Sequence, residues 1–549
     1  MFKNHPKGLF VLAASNMGER FGFYTMLAIF TLYLQDYFGW DKEHAFNLYG
    51  YFLFGIYFLP ILGGIIADEL IGYGKTIIIG SVIMAIGYGL LAQPTKDPIF
   101  VYISLSVIAL GVGMFKGNIV VLVGNIYDKK KLDHLRDSAY NLFYGAINIG
   151  AFFAPYAASS IKNFVLESRG FSYNEAIPGI AHQLIETGTS DKLQLLQGIA
   201  KTNDPAQLLA YSQNYLDALA SGYNWAFGLA AFSMIVSLIV YLGFRKHYQY
   251  ADFRNRDQPA SENIVLSKKQ FRDRILALSL VFVIVIFFWM AYQQNGSTMT
   301  DFAKNYTNLN ANKFVYSMFY LPCVLSIVAT IAGLVFIFRK NLQWKTKIAS
   351  VVATVGGISY LIYYSITAPE NNKIDPEVFQ AFNPLFIVFL TPLVIGYFAS
   401  LNKKGKEPSA PKKIGIGMII TAIGFAILMV VSFNLPSVKE LGRNTVDSSL
   451  AVSPYWLISS YWVITFAELF LSPMGLSFVS KVAPPGKKGI MQAGWLFAIS
   501  IGNLIAGLIG SLYENWTLWH FFFMLVVVCL ISAVIIFSIM KIINKASKS

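Results

Sequence analysis

Long apolar runs alternate with short polar breaks along this chain. A run of about twenty apolar residues suits a helix that crosses the hydrocarbon of a bilayer. Such runs lie near 9–36, 46–69, 75–94, 99–126, 138–160 and 223–243. After a charged stretch they resume near 275–297, 313–338, 347–366, 384–401, 414–433, 455–479, 489–512 and 517–541. The pattern predicts an all-α polytopic membrane protein with about fourteen crossings. A membrane β-barrel would instead show alternating segments of roughly ten residues.

The breaks set an orientation. Lys and Arg gather at 128–136, 245–274, 339–347, 403–413 and 487–488, and the alternate breaks at 36–43, 162–222, 368–380 and 437–453 are poorer in them. Positive loops stay on the cytoplasmic side. The reading is a multi-pass protein of the inner (plasma) membrane with both termini cytoplasmic. The segment 161–222 has amphipathic spacing (Leu193, Leu196, Ile199; then Leu208, Leu209, Leu216, Leu219) and predicts short helices on the outer surface. The charged, Pro-containing segment 244–274 reads as a cytoplasmic linker. It separates residues 1–243, an N-terminal bundle, from 275–549, a C-terminal bundle that includes an extra hairpin at 313–366.

Composition narrows the function. Of 549 residues, 55% are apolar and 13% charged, against about 25% charged in soluble domains. This excludes an ordinary soluble enzyme, a disordered regulator and a coiled coil. The net charge of +14 would suggest nucleic acid in a soluble protein. Here the positive residues sit in membrane loops, so the lipid bilayer is the partner and nucleic acid is not. Cys323 and Cys529 lie inside apolar runs and read as buried thiols. The six histidines lie in or near loops, and no HExxH, GxSxG or P-loop occurs. No enzyme, metal site or cofactor is expected. The apolar run after Lys7 is too long for a cleavable signal and carries Glu19 and Arg20.

Ionisable residues inside a span need a partner or water. Glu19 and Arg20 are adjacent, point about 100° apart on a helix and are expected to find partners on other helices. Lys116 lies among Gly111, Gly113 and Gly117 and needs an acid; Glu19 and a substrate carboxylate are the two candidates. Glu468, a turn before Ser472, Pro473 and Gly475, suits a cation, a proton or a ligand amine. Together these charges fit a zwitterion bridging the two halves. Tyr24, Tyr57, Asn148, Gln293, Gln294 and Asn383 add neutral polar groups, with Asn148 and Asn383 equally able to bond helices together.

Several segments resemble the proton-dependent oligopeptide transporters, a branch of the major facilitator superfamily. Gly63 to Lys75, with Gly64, Asp68 and Gly72, is similar to that superfamily's loop 2–3 motif. Glu19-Arg20-Phe21-Gly22-Phe23-Tyr24 is similar to the family's first-helix signature, Gly111 to Asn118 to its fourth-helix motif and Phe143 to Gly150 to its fifth. Phe288-Trp289 with Gln294, Asn383-Pro384, Glu468 to Gly475 and Gly494-Trp495 resemble helices seven, eight, ten and eleven. The resemblance implies a major facilitator fold, two six-helix bundles plus the extra hairpin, and import of di- and tripeptides driven by protons; weakly coupled or facilitative transport, or transport of a non-peptide organic anion or nitrate, is the alternative. It implies that Arg20 and Lys116 hold the peptide carboxylate and that Asn148, Asn383 and Glu468 hold the amino end. Tyr24, Tyr57 and Gln293 would line the cavity, and Trp289 and Trp495 would wall side-chain pockets. Gly64, Asp68, Gly72 and Lys75 would form a conformational latch, and the protein is expected to act as a monomer.

The chain departs from the family's pattern at Asn16, Leu27 and Gln293, where an acid, an arginine and an acid are usual. Leu27 and Gln293 replace both members of an outer charge pair together, which leaves neither partner buried alone. Of the usual proton-handling acids Glu19 and Glu468 remain. Glu19 facing Lys116 is the expected proton carrier.

Overall fold

The computed structural model describes residues 5–130, 132, 135–253, 267–339, 342–484 and 487–548. It is almost entirely helical. Helices α1 (Lys7–Phe38), α2 (Lys42–Ile65), α3 (Tyr73–Leu91), α4 (Pro98–Lys130) and α5 (Arg136–Ser168) come first. Two short helices, α6 (Ile177–Thr187) and α7 (Leu193–Ala200), precede the long α8 (Pro205–Gly243). Then follow α9 (Lys268–Tyr292), α10 (Thr298–Tyr306), α11 (Lys313–Tyr316), α12 (Leu321–Ile337) and α13 (Trp344–Thr367). The chain ends with α14 (Phe382–Lys403), α15 (Ala410–Val431), α16 (Val438–Leu441), α17 (Pro454–Val482), α18 (Lys488–Leu508), α19 (Gly510–Asn515) and α20 (Leu518–Lys548).

Among the described residues ten helices are long and apolar enough to cross a membrane. α1, α5 and α17 lie over three further predicted runs, and α12 is a shorter apolar helix. A helix thus covers every predicted run, while the measure of length and hydropathy counts ten of them. Boundaries follow local chemistry. Asp41 caps α2 by accepting from the His44 N–H at 2.6 Å. Ser267 and Gln270 form a capping box at the start of α9. α1 ends at Gly39, whose φ of 65° is the left-handed conformation that closes a helix.

The structure differs from the sequence reading in the segment 161–222. Leu208, Leu209, Leu216 and Leu219 do not form a surface helix of their own. Asp204 caps a helix that Pro205 opens and that runs 39 residues without a break. Only α6 and α7 are short. In the linker, residues 254–266 lie outside the described residues, as do His134 and part of the 128–136 basic segment, and the side chain of Lys488.

Packing sorts the helices into two sets. α1 lies against α5 and α8, and α3 and α2 lie against α4. α9 lies against α18 and α20, and α15 against α17 and α20. The sets meet where α2 packs on α18 and α5 on α14. Small residues let backbones touch at these crossings. A Cβ on Gly50 would stand 2.7 Å from the Gly507 Cα. α12 and α13 stand apart and pack chiefly on each other, Gly333 against Thr354 and Gly357 against Thr330. The two-stranded sheet β1 (Asn310–Ala311) and β2 (Asn372–Lys373) closes their base, pairing Asn310 with Lys373.

The tightest crossing lies between α2 and α4. A Cβ on Gly63 would sit 2.1 Å from the Gly113 carbonyl oxygen, whereas one on Gly64 meets nothing within 4 Å. Gly63→Ala therefore costs about 1–3 kcal/mol of stability, seen as a lower thermal unfolding midpoint in detergent. Gly64→Ala stays within about 0.5 kcal/mol of the parent.

Candidate functional site

α1 carries Glu19 and Arg20 into the interior, at 0% and 5% exposure. Arg20 Nε and Nη2 both donate to the Glu19 carboxylate. This corrects the expectation that the two residues look to other helices for their partners, although Glu19 still lies near enough to Lys116 for its charge to act on it. In a medium of low dielectric the attraction between opposite charges outweighs bending two long side chains toward each other. The Arg20 guanidinium carbon also lies 4.8 Å from the Phe23 ring centroid.

Lys116 on α4 is left with no ion-pair partner among the described residues. Its ammonium sits 3.5 Å from the centroid of the Tyr57 ring, a cation–π contact. Tyr57 on α2 in turn faces Trp289 on α9, with centroids 6.3 Å apart. This aromatic pair joins the two helix sets across the middle of the molecule.

On the opposite wall Glu468 of α17 accepts from the Tyr292 hydroxyl at 3.0 Å and from Asn383 Nδ2 at 3.1 Å. Asn383 Nδ2 also donates to Thr465 Oγ1 at 2.9 Å. No cation pairs with Glu468 among the described residues. Tyr24 feels the charges of Arg20 and Glu468 alike, and Tyr57 and Tyr292 share its neighbourhood. Phenols therefore occupy the space between the cationic and anionic walls.

The remaining predicted residues divide. Trp289 is 7% exposed and its indole N–H lacks an acceptor. Trp495 meets Phe282 edge-on at 6.3 Å. Gln293 is buried in the turn that separates α9 from α10. Gln294 is spent on structure, donating to the Met290 and Ala506 carbonyls and accepting from Thr298. Among the described residues Asn148 bonds only its own helix, donating to the Tyr144 carbonyl at 3.0 Å, and is not hydrogen-bonded to Asn383 or Glu468. The side chains of Ser472, Pro473 and Gly475 lie outside the described residues. At the other motif, Asp68 accepts from the Tyr73 hydroxyl. Gly72 takes a φ of 85°, and Lys75 is exposed. The Gly74 N–H donates to Asp252 at 2.9 Å, tying the linker's first residues to this turn.

Sequence reasoning missed Tyr292 and a second feature at the end of the bundle that carries α6 and α7. There the two helix sets are laced together. Lys304 pairs with Asp36, and Lys42 with Asp301 at 3.1 Å. Lys162 pairs with Glu377 at 2.6 Å, Lys373 with Glu175 at 2.6 Å, and Arg443 with Glu186 at 2.7 Å. Gln380 Nε2 donates to the Ala28 carbonyl at 3.1 Å and Thr31 Oγ1 to the Gly296 carbonyl at 3.1 Å, just beyond the site. His182 shares its Nε2 proton with the Asp36 carbonyl, and burial pushes its imidazole pKa down, with Arg443 adding to the effect. Leu27 and Gln293, by contrast, are both buried without charge. Composition hid these pairs because most of their members stand in or beside polar breaks, where charge needs no explanation.

Comparisons place these features among known proteins. A family model described as the POT family matches residues 74–266 and 357–519. The peptide transporter YePEPT of Yersinia enterocolitica is 28% identical, over 93% of this chain and 88% of its own. A di-/tripeptide transporter of Lactococcus lactis subsp. cremoris is 25% identical, over 98% and 96%. A solved peptide transporter POT variant in complex with alafosfalin superposes with a TM-score of 0.69 at 21% identity, covering 100% of this chain and 97% of that one. A POT family transporter in complex with 5-aminolevulinic acid gives 0.68 at 19% identity, covering 99% and 98%.

The Glu19–Arg20 pair yields a stability test. Arg20→Gln leaves a buried carboxylate alone and costs about 3–5 kcal/mol. Adding Glu19→Gln to it restores most of the loss. Thermal unfolding of the purified variants in one detergent reads both effects.

Proposed function

Since the chain belongs to the POT family, we propose that it imports di- and tripeptides by alternating access, with protons as the driving ion. One observation carries this reading. Among the described residues Lys116 has no ion pair and Glu468 has none, and the Tyr57 phenol lies against the one and feels the charge of the other. A buried charge held by neutral groups alone is costly and is stabilised by a ligand of opposite sign. A peptide main chain carries both signs, one at each end.

In this reading Lys116 and Arg20 receive the carboxylate, and Glu468 with Asn383 receives the amine. Tyr24, Tyr57 and Tyr292 line the length between. Trp289 and Trp495 wall the side-chain space, and the indole N–H of Trp289 is free to donate. Asn148 stands at the margin, and Gln293 shapes the turn beside the site. The ligands held by the two solved relatives, alafosfalin and 5-aminolevulinic acid, both join an amine to an acid group. Glu468 argues against nitrate or another simple anion, which gains nothing from a carboxylate.

Among the described residues the inter-set hydrogen bonds and ion pairs gather at the α6–α7 end, which supports reading that end as a closed outer side. Its Lys- and Arg-rich loops would then face the cytoplasm, with both termini on that side of the inner membrane. Glu19 remains the proposed proton carrier, but its partner changes. Protonating it frees Arg20, rather than Lys116, for the incoming carboxylate. Asp68, Gly72 and Lys75 would act in the latch of the α2–α3 turn, Gly64 having no neighbour in this state. The working unit is taken as a monomer.

Uptake of labelled dialanine into proteoliposomes tests the reading. Di- and tripeptides compete, and free amino acids, tetrapeptides and nitrate do not. Lys116→Gln and Glu468→Gln each lower uptake by about tenfold or more, the loss of one charge-assisted contact. Glu19→Gln keeps exchange of dialanine between the two sides but loses accumulation against a gradient. Nitrate competing as well as a dipeptide overturns the peptide assignment, and accumulation by Glu19→Gln overturns the role of that residue.

A further inference from the structure

The loop-end seal contains an imbalance. Lys162 on α5 is wholly buried and meets two carboxylates of the other helix set, Glu377 at 2.6 Å and Asp375 at 3.6 Å. Glu377 is itself wholly buried. Its Oε1 accepts a hydrogen bond from the Lys162 ammonium, while its Oε2 has no hydrogen-bond donor among the described residues. Asp375 accepts from Ser159 and from Asn163 Nδ2 at 2.8 Å, and its side chain keeps 15% exposure. One carboxylate is therefore saturated and reaches solvent, and the other is sealed and half satisfied.

The surroundings do not supply the missing charge. From α1 comes Asp36, already bound to Lys304 of α10 and to the Tyr223 hydroxyl at 2.6 Å. α10 also carries Asp301, bound to Lys42. Glu175 is bound to Lys373. The Tyr173 ring lies 3.6 Å from the Lys162 ammonium and brings no charge. α14, which continues from Glu377, is uncharged until Lys403. Around Lys162 three carboxylates (Asp36, Asp375, Glu377) stand against two ammonium groups (Lys162, Lys304).

We propose that Asp375 and Glu377 form a proton-binding latch that decides whether the outer seal is open. The proposal rests on the alternating-access reading above. Two carboxylates that share one cation in a dry site retain a proton more readily than either does alone. A proton from the outer solution passes Asp375, the exposed member, and settles on Glu377, whose Oε2 is buried without a donor among the described residues. Neutral Glu377 no longer draws Lys162, which is left with Asp375 at 3.6 Å alone, and the seal is weakened by the loss of the 2.6 Å ion pair whose side chains are both fully buried. Acid on the outer side opens the seal; deprotonation closes it.

Spin labels at Ser168→Cys and Asn371→Cys, exposed residues on opposite sides of the seal, report the opening by electron–electron distance measurement. The native Cys323 and Cys529 are buried and stay unlabelled. His182→Gln serves as the background, because the imidazole titrates at the same end. Lowering the pH from about 7.5 to about 5 raises the long-distance population by roughly threefold or more in this background. Glu377→Gln, and the double variant with Asp375→Asn, show the long distance at both pH values. No pH response in the background overturns the proposal, as does a full response surviving in the double variant. Should Glu377→Gln not fold, Asp375→Asn alone decides, since it alters a partly exposed side chain; an unchanged response there overturns the latch. The readout needs no substrate. Failure of dialanine transport would sink the peptide reading while leaving the latch to its own test.

Discussion

A charge that water cannot reach must be answered by another charge, and this one constraint orders the whole molecule. Three kinds of answer occur. Glu19 and Arg20 cancel within a single helix. Lys304 with Asp36, Lys42 with Asp301 and Lys162 with Glu377 cancel across the two helix sets. Among the described residues Lys116 and Glu468 have no ion pair and rest against phenols and an amide, which is why they are the proposed ligand contacts. The first kind cancels charge without tying one helix to another, the second ties the two helix sets together, and the third is the proposed ligand contact.

These answers are not interchangeable. A pair within one helix survives any motion of the bundles. A pair across the bundles exists in one arrangement only, so its free energy belongs to that arrangement and weights it against the alternative. In the proposed reading an unpaired charge links the two, because a ligand that met Lys116 and Glu468 together would touch both sets at once. Tyr57 and Trp289 already bring the walls to a ring-to-ring separation of 6.3 Å beside this point. Ligand capture and bundle movement thus share the same few side chains.

Much of this was legible in the amino-acid order. Helices fall where the apolar runs lie because hydrocarbon leaves the backbone no partner but itself. Lys116 and Glu468 announced themselves as charges in apolar runs. The Glu19–Arg20 contact did not. Helical geometry separates their Cβ vectors, and only the cost of an unsolvated guanidinium explains why the side chains turn back. Tyr292 was hidden among 31 tyrosines. The ion pairs of the seal were hidden for the opposite reason. Asp36, Lys42 and Asp375 stand in polar breaks, where charge is ordinary, and only the fold reveals that these breaks are buried. The long α8 was misread because its first half has the spacing of a surface helix, and nothing in that spacing says whether the helix stops.

The sheet at the base of α12 and α13 has its own implication. β1 and β2 run antiparallel with Asn310 opposite Lys373, so the chain departs and returns at neighbouring points. Everything between them hangs from the body like a loop of thread whose two ends are already tied. The pair of helices is thus a detachable appendage: a gene that lost it would leave two ends within bonding distance, and neither bundle would need to be rebuilt.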